Sequence, residues 1–210
     1  MHKTLAFFGA FNPPTKAHIC LAEFAMRETG RESVLFVPSK SAYIRGFQHK
    51  DLAFPDEERL AMLDRIAESR PWMQATDIEM REDTQPRTYQ PLCALREWGI
   101  PATLLLGSDK LCELDSKWLH VPEICWEFGI VCLTRGRDEC ERVIQDSPLL
   151  RKLSRFIEVV ETPEEFREVS SSEVRKLLLQ DPVPENELRR TVPEEIVPML
   201  LSAAKGGNTP

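Results

Sequence analysis

The sequence predicts an α/β fold: a doubly wound parallel sheet with helices on both faces and a small helical part near the C-terminal end. Three observations predict it. Short apolar runs alternate with segments of helical period along most of the chain. The intervening segments are long enough to carry a helix back to the start of the next strand, as parallel pairing requires. The polar and glycine-bearing segments fall after Phe8, Val37, Leu106 and Leu133. In such a sheet those positions share the carboxyl rim, where ligands bind.

Each element has its own signal. Lys3–Phe8 reads as a buried strand. Ile19, Leu21, Ala22, Ala25 and Met26 line one side of a helix that Gly30 ends. Ser33–Val37 is a second strand, closed by Pro38. Ser39–Phe54 has no clear period and reads as a long surface loop carrying Tyr43, Arg45, His49 and Lys50. Pro55-Asp56-Glu57-Glu58 opens a helix, its acidic residues at the positive end of the dipole, with Leu60, Leu63, Ile66 and Ala67 as the buried stripe. Met73–Glu79 is a third strand. Thr88 caps a helix through Trp98, stopped by Gly99, with Leu92 and Leu95 on its apolar side. Pro101–Leu106 is a strong buried strand, followed by a short helix from about Asp109. Phe128–Leu133 and Phe156–Val160 complete the strands; Asp138–Asp146, Ser172–Leu179 and Glu194–Ala203 read as helices. Residues 1–204 are read as one domain and 205–210 as a flexible tail.

Composition narrows the function. The net charge is -7 and no Lys/Arg cluster stands out, which argues against a nucleic-acid polymer as partner. No apolar run approaches membrane length, and the N-terminus lacks a signal-peptide shape. The six cysteines form no C-x-x-C pair, so a zinc cage is not expected. They read as reduced, buried thiols of a cytoplasmic protein.

Four stretches carry chemistry. Gly9-Ala10-Phe11-Asn12-Pro13-Pro14-Thr15-Lys16-Ala17-His18 joins the first strand to a helix. A tight turn before a helix N-terminus suits a phosphate, because backbone N–H groups and the dipole both favour an anion. The plainer alternative is a structural turn with Thr15 as N-cap. Ser170-Ser171-Ser172-Glu173-Val174-Arg175 sets three hydroxyls and a guanidinium at another helix start, again fit for phosphate or for ordinary capping. Leu106-Gly107-Ser108-Asp109 lets a ligand approach the backbone at Gly107, and Asp109 suits a ribose hydroxyl, a metal-bound water or a helix cap. Arg87-Thr88-Tyr89 suits a second polar ligand or a cap. Trp118 and Trp72 suit base stacking or the core.

Taken together these stretches resemble a known family. The first turn resembles the G-x-F-[DN]-P-x-[HT]-x-x-H signature of the nucleotidyltransferase superfamily, and Ser170–Arg175 its S-S-T-x-I-R partner. Gly107-Ser108-Asp109 to Trp118 resembles the G-x-D…W segment of the nicotinamide or nicotinate mononucleotide adenylyltransferases. The likeness continues through Arg59-Leu60-Ala61-Met62, Asp77-Ile78-Glu79, Thr88-Tyr89 and Thr191-Val192-Pro193-Glu194. The chain departs from the pattern in three places. Thr15 and Ala17 replace the first histidine and the glycine of H-x-G-H. Arg87-Thr88-Tyr89 replaces S-Y-T. The Ser39–Phe54 segment, with Tyr43, Lys50 and Leu52, is longer than the bacterial form and closer to the animal type.

The resemblance implies a Rossmann-like fold and adenylyl transfer. The 5′-phosphate of a pyridine mononucleotide attacks the α-phosphorus of ATP, giving NAD or its acid form and pyrophosphate, without a covalent enzyme intermediate. It implies His18 at the α-phosphate and Arg175 as a clamp. Gly9, Ala10, Phe11, Asn12 and Thr15 would line the ATP phosphates, with Ser171 and Ser172 at the β/γ end. Gly107 and Asp109 would sit by the adenosine ribose, and Lys50, Thr88 and Trp118 would face the mononucleotide. Mg²⁺ would be held by phosphates and water rather than by a protein cage. A homo-oligomer is compatible with this. Two alternatives stay open: a phosphopantetheine or alcohol-phosphate substrate within the same superfamily, and a non-catalytic nucleotide sensor. A dinucleotide-binding dehydrogenase would need G-x-G-x-x-G after the first strand, where Gly9 stands alone.

Overall fold

A computed structural model describes residues 2–46, 53–134, 140–163 and 170–206. Six strands form one parallel sheet in the order β3-β2-β1-β4-β5-β6. They are β1 (Thr4–Gly9), β2 (Ser33–Pro38), β3 (Met73–Ala75), β4 (Ala102–Gly107), β5 (Ile130–Leu133) and β6 (Ile157–Val160). β1 is central, in register with β2 from Thr4↔Ser33 to Gly9↔Pro38 and with β4 from Thr4↔Ala102. The strand order reverses between β1 and β4, and a sheet of this kind opens a crevice at that point beyond its carboxyl ends. Gly9 and Gly107 end the two strands that flank it.

Strand alternation divides the core into two layers. Leu5, Val34, Phe36, Leu105, Val131 and Leu133 face one side. There they meet α1 (Lys16–Glu28), α3 (Asp56–Ala67), α10 (Ser171–Leu178), α11 (Glu185–Thr191) and α12 (Val197–Gly206). Ala6, Leu35, Val37, Leu104, Leu106, Ile130 and Cys132 face the other. That layer packs on α4 (Tyr89–Glu97), α5 (Ser108–Leu111), α6 (Leu114–Lys117), α7 (Val121–Glu127), α8 (Cys140–Asp146) and α9 (Pro148–Leu153). Strands buried on both faces read as continuous apolar runs, which is why the sequence marks them. Gly30 and Gly99 follow α1 and α4 with φ of 65° and 79°, the left-handed conformation that ends a helix at low cost for glycine.

Four expectations change. Ser39–Phe54 is not all loop: α2 (Ser41–Gly46) lies within it, and Ser41, Ile44 and Phe54 are buried. The buried stripe of α3 is Arg59, Met62, Leu63 and Ile66 rather than the set beginning at Leu60. β3 is three residues long; Thr76 N–H still donates to Phe36 O at 3.0 Å, and the chain turns from Ile78. Cys112 is exposed, whereas Cys125, Cys132 and Cys140 are buried. At the C-terminal end, α12 runs on to Gly206. Among the described residues no helix is long and apolar enough to cross a membrane.

Candidate active site

The turn after β1 is built around Phe11. Its φ of 42° is a left-handed conformation, costly for a bulky side chain and held only by its surroundings. The ring folds back into the core, edge-on to Phe7 at 5.4 Å and to His18 at 5.2 Å. It lies so close to Gly9 that a Cβ there would sit 3.0 Å from Phe11 Cζ. Gly9 is therefore required by its own neighbour's ring.

The carbonyls of this turn are held by protein donors. Ser39 N–H donates to Gly9 O at 2.9 Å and Arg59 Nη1 to Ala10 O at 2.7 Å. Arg175 Nη1 donates to Asn12 O at 2.8 Å and Ser171 Oγ to Pro13 O at 3.0 Å. In a trans peptide the N–H lies opposite the C=O, so the amides of Ala10 and Phe11 point away from these anchors. The Asn12 side chain turns inward: its Oδ1 accepts Phe54 N–H at 2.9 Å, and the residue is fully buried.

Thr15 caps α1, also fully buried. Its Oγ1 accepts from His18 N–H at 3.4 Å, while its own N–H donates to His18 Nδ1 at 3.0 Å. This is a capping box with histidine in place of the usual glutamate. It fixes the imidazole at the first turn of α1.

The second half of the cradle is the start of α10. Ser170 is its N-cap, closed by Glu173 in a capping box of its own. Arg175 spans from Asn12 O to Ser172 Oγ, the latter at 2.9 Å. Partial burial pulls its guanidinium below the usual arginine range while leaving it a cation. Residues from the two ends of the chain thus meet: Gly9, Ala10 and His18 lie at the rim with Ser171, Ser172 and Arg175, and Phe11, Asn12 and Thr15 are buried beneath them.

The remaining expected residues stand around it. Gly107 ends β4 beside β1, and Asp109 is exposed in the first turn of α5, 3.8 Å from Lys110 Nζ. Thr88 occupies the N-cap position of α4 with helical dihedrals and no capping hydrogen bond from its side chain. Trp118 ends α6, half-buried against the second core layer. Lys50, with His49 and Leu52, lies outside the described residues. Lys40 is drawn away from any ligand: its Nζ donates to the carbonyls of Met80, at 2.9 Å, and Glu82.

The residue that the motif likeness includes without giving it a role is Arg59. It is fully buried, and it ties together the three segments that shape the rim. Nη1 holds Ala10 O, Nη2 holds Ser39 O and Asp56 Oδ1, the latter at 2.6 Å, and Nε holds Phe54 O at 3.2 Å. Burial lowers its pKa, and the Asp56 carboxylate works against that. Asp56 is raised by burial, but hydrogen bonds from Ser41 and Arg59 bring it below the usual carboxylate range overall. A signal was present: Arg59, Met62, Leu63 and Ile66 share the i, i+3, i+4, i+7 face. Nearby, Glu79 is buried and accepts from Gln85 Nε2 at 2.6 Å. Burial pushes its carboxyl up to about 7.

A crevice at the sheet's switch point, walled by two helix starts, an arginine and a histidine, defines an α/β enzyme of the nucleotidyltransferase class. The chain belongs to the cytidylyltransferase-like family, whose sequence model matches residues 6–177. It is 27% identical over 180 residues to the probable nicotinate-nucleotide adenylyltransferase of Caldicellulosiruptor bescii, covering 85% of this chain and 88% of that one. It is 28% identical over 200 residues to the enzyme of the same name in Lachnoclostridium phytofermentans, covering 93% and 94%. The fold superposes on the nicotinic acid mononucleotide adenylyltransferase of Plasmodium falciparum, complexed with NaAD, with a TM-score of 0.71 at 20% identity, covering 99% and 97%.

Proposed function

We propose that this chain is an adenylyltransferase that joins ATP to nicotinate or nicotinamide mononucleotide, releasing the dinucleotide and pyrophosphate. The observation that carries the reading is the joining of the Gly9–His18 turn to Ser171 and Arg175, which makes one cradle from two sequence-distant anion sites. Three facing phosphates need donors on more than one side, and this arrangement supplies them.

In this reading catalysis is positioning and electrostatics. The amides of Ala10 and Phe11 and the start of α1 receive the phosphates. His18 donates to the α-phosphate as charge grows towards the bridging oxygen, and Arg175 with Ser171 and Ser172 holds the departing pyrophosphate. Gly107 and Asp109 face the adenosine ribose, and Thr88, Trp118 and Lys50 face the mononucleotide. The nucleophile is a phosphate oxygen that is already anionic, so no protein base has to generate it.

The rim suits Mg²⁺ brought in on the substrate's phosphates rather than held by the protein. Among the described residues no group of three His, Cys, Asp or Glu could form a cage, and the cradle consists of N–H, hydroxyl and guanidinium groups. Such a lining would leave the ion to phosphate oxygens and water rather than to a protein cage. When bound, the ion neutralises charge on the triphosphate. Residues 1–204 act as one catalytic domain in this reading, and the six thiol cysteines are consistent with a cytoplasmic setting.

The test is incubation with ATP, Mg²⁺ and each mononucleotide in turn, following dinucleotide and pyrophosphate. Product with either supports the proposal, and the nicotinate form is expected to react faster, in keeping with the two bacterial relatives. The family match also covers cytidylyl transfer, so CTP with an alcohol phosphate is the control. Product there and none with the mononucleotides would overturn the reading.

A further inference from the structure

We infer that Thr15 is a positioning residue that holds His18 as the neutral imidazole protonated on Nε2. Its catalytic consequence rests on the adenylyltransferase reading, but the protonation site itself does not. Thr15 stands where a ligand contact is expected, yet the residue is fully buried; its carbonyl accepts Ile19 N–H at 3.3 Å, and its N–H and hydroxyl meet His18. Its backbone N–H donates to Nδ1 at 3.0 Å. Its hydroxyl lies 2.9 Å from the same nitrogen while accepting from His18 N–H at 3.4 Å.

A ring nitrogen that accepts an N–H bond uses its lone pair and carries no proton. The proton of the neutral ring is then on Nε2. The Thr15 hydroxyl strengthens the same choice, because its hydrogen can point at Nδ1 while its oxygen lone pair takes the His18 amide. Phe11 stands edge-on to the imidazole at 5.2 Å, and Phe7 packs at 6.4 Å, so aromatic walls limit rotation of the ring. The outcome is an oriented neutral donor. Nε2–H can give a hydrogen bond to a phosphate oxygen throughout the reaction without transferring its proton. The threonine at this position is thus no loss of a second imidazole; it is the device that sets the first one.

The experiment compares the wild-type chain with T15S and T15V in two readouts. Nitrogen-15 spectra of histidine-labelled protein, with His18 assigned by H18Q, report which ring nitrogen is protonated. Steady-state kinetics report kcat and the KM for ATP. Wild type and T15S are expected to show His18 protonated on Nε2, with kcat within about twofold of each other. T15V keeps the side-chain shape but loses the hydroxyl. Its backbone N–H still reaches Nδ1, so the ring is expected to stay Nε2-protonated but held by one bond instead of two, with a kcat lower by about tenfold and a KM for ATP changed by less than about threefold. The inference is overturned if wild-type His18 carries its proton on Nδ1. It is also overturned if T15V keeps the wild-type kcat, or loses rate only through a raised KM for ATP. If wild type forms no dinucleotide at all, the functional reading falls while the spectra still decide the role of Thr15.

Discussion

Arg175 Nη1 donates to the carbonyl of Asn12 at 2.8 Å, across 163 residues of chain. The same guanidinium reaches Ser172 Oγ at 2.9 Å, so it is positioned by the cradle it completes. R175A should lower kcat by about a hundredfold, the usual loss when one donor to a developing oxyanion is removed. R175K should recover little of it. Lysine keeps the charge but lacks the planar guanidinium that bridges Asn12 O and Ser172 Oγ at once. Steady-state kinetics with saturating ATP would check this, and an R175K variant with wild-type kcat would refute the bridging role.

Arg59 makes a stability prediction. Its guanidinium is fully buried and satisfies carbonyls of Ala10, Ser39 and Phe54 together with the Asp56 carboxylate. R59M leaves those acceptors and that charge without their donor, and should cost about 3–5 kcal/mol in urea unfolding. R59K should recover part of the stability. Its turnover should stay at least about tenfold down, since one ammonium cannot hold carbonyls in three segments in a fixed plane.

These two arginines show what was legible in the sequence. Arg175 is readable as a candidate because three hydroxyls, Ser170, Ser171 and Ser172, precede it at a helix start. Arg59 is not, because its partners lie at positions 10, 39 and 54 and nothing near it in the chain names them. The apolar stripe of α3 reads as beginning at Leu60, although the helical period places Arg59 with Met62, Leu63 and Ile66. The strands were legible through their two-sided burial. Helix α2 was missed because its six residues bury only Ser41 and Ile44, too few to show a period. Short α6, α9 and α11 bury as few residues, whereas α7 does show a period in Val121, Ile124 and Cys125; Asn12 reads as a phosphate donor because the demand of Phe54 N–H appears only in three dimensions.

Gly9 should tolerate no side chain for a reason unrelated to substrate. An added Cβ would meet Phe11 Cζ at 3.0 Å and Cε1 at 3.2 Å. Phe11 is buried and cannot retreat into solvent, so the ring must press on Phe7, Phe36 and His18. G9A should destabilise the fold by about 1–3 kcal/mol, as overpacked cores do. It should also lower turnover, because His18 shifts with the ring it abuts. Thermal unfolding and kcat measured on one preparation would show both; an unchanged kcat at lowered stability would separate His18 from Phe11.

Glu79 gives the chain a predictable pH dependence. The carboxyl is 2% exposed, and burial raises it from 4.5 to about 7, against the opposing effects of Gln85, Ser39 and Arg59. The folded state therefore binds this proton more tightly than the unfolded state. Stability follows the difference in bound protons, so between about pH 4.5 and about 7 the folded form holds the extra proton and its stability falls as pH rises. The gap corresponds to a loss on the order of 3 kcal/mol by neutral pH. E79Q mimics the protonated form and keeps an acceptor for Gln85 Nε2, which now donates to Glu79 at 2.6 Å. It should match the wild type near pH 4.5, exceed it above pH 7, and flatten the slope between. Urea unfolding at intervals across that range is the measurement. A slope identical in E79Q and wild type would mean that other groups carry the dependence and that Glu79 keeps its charge when folded.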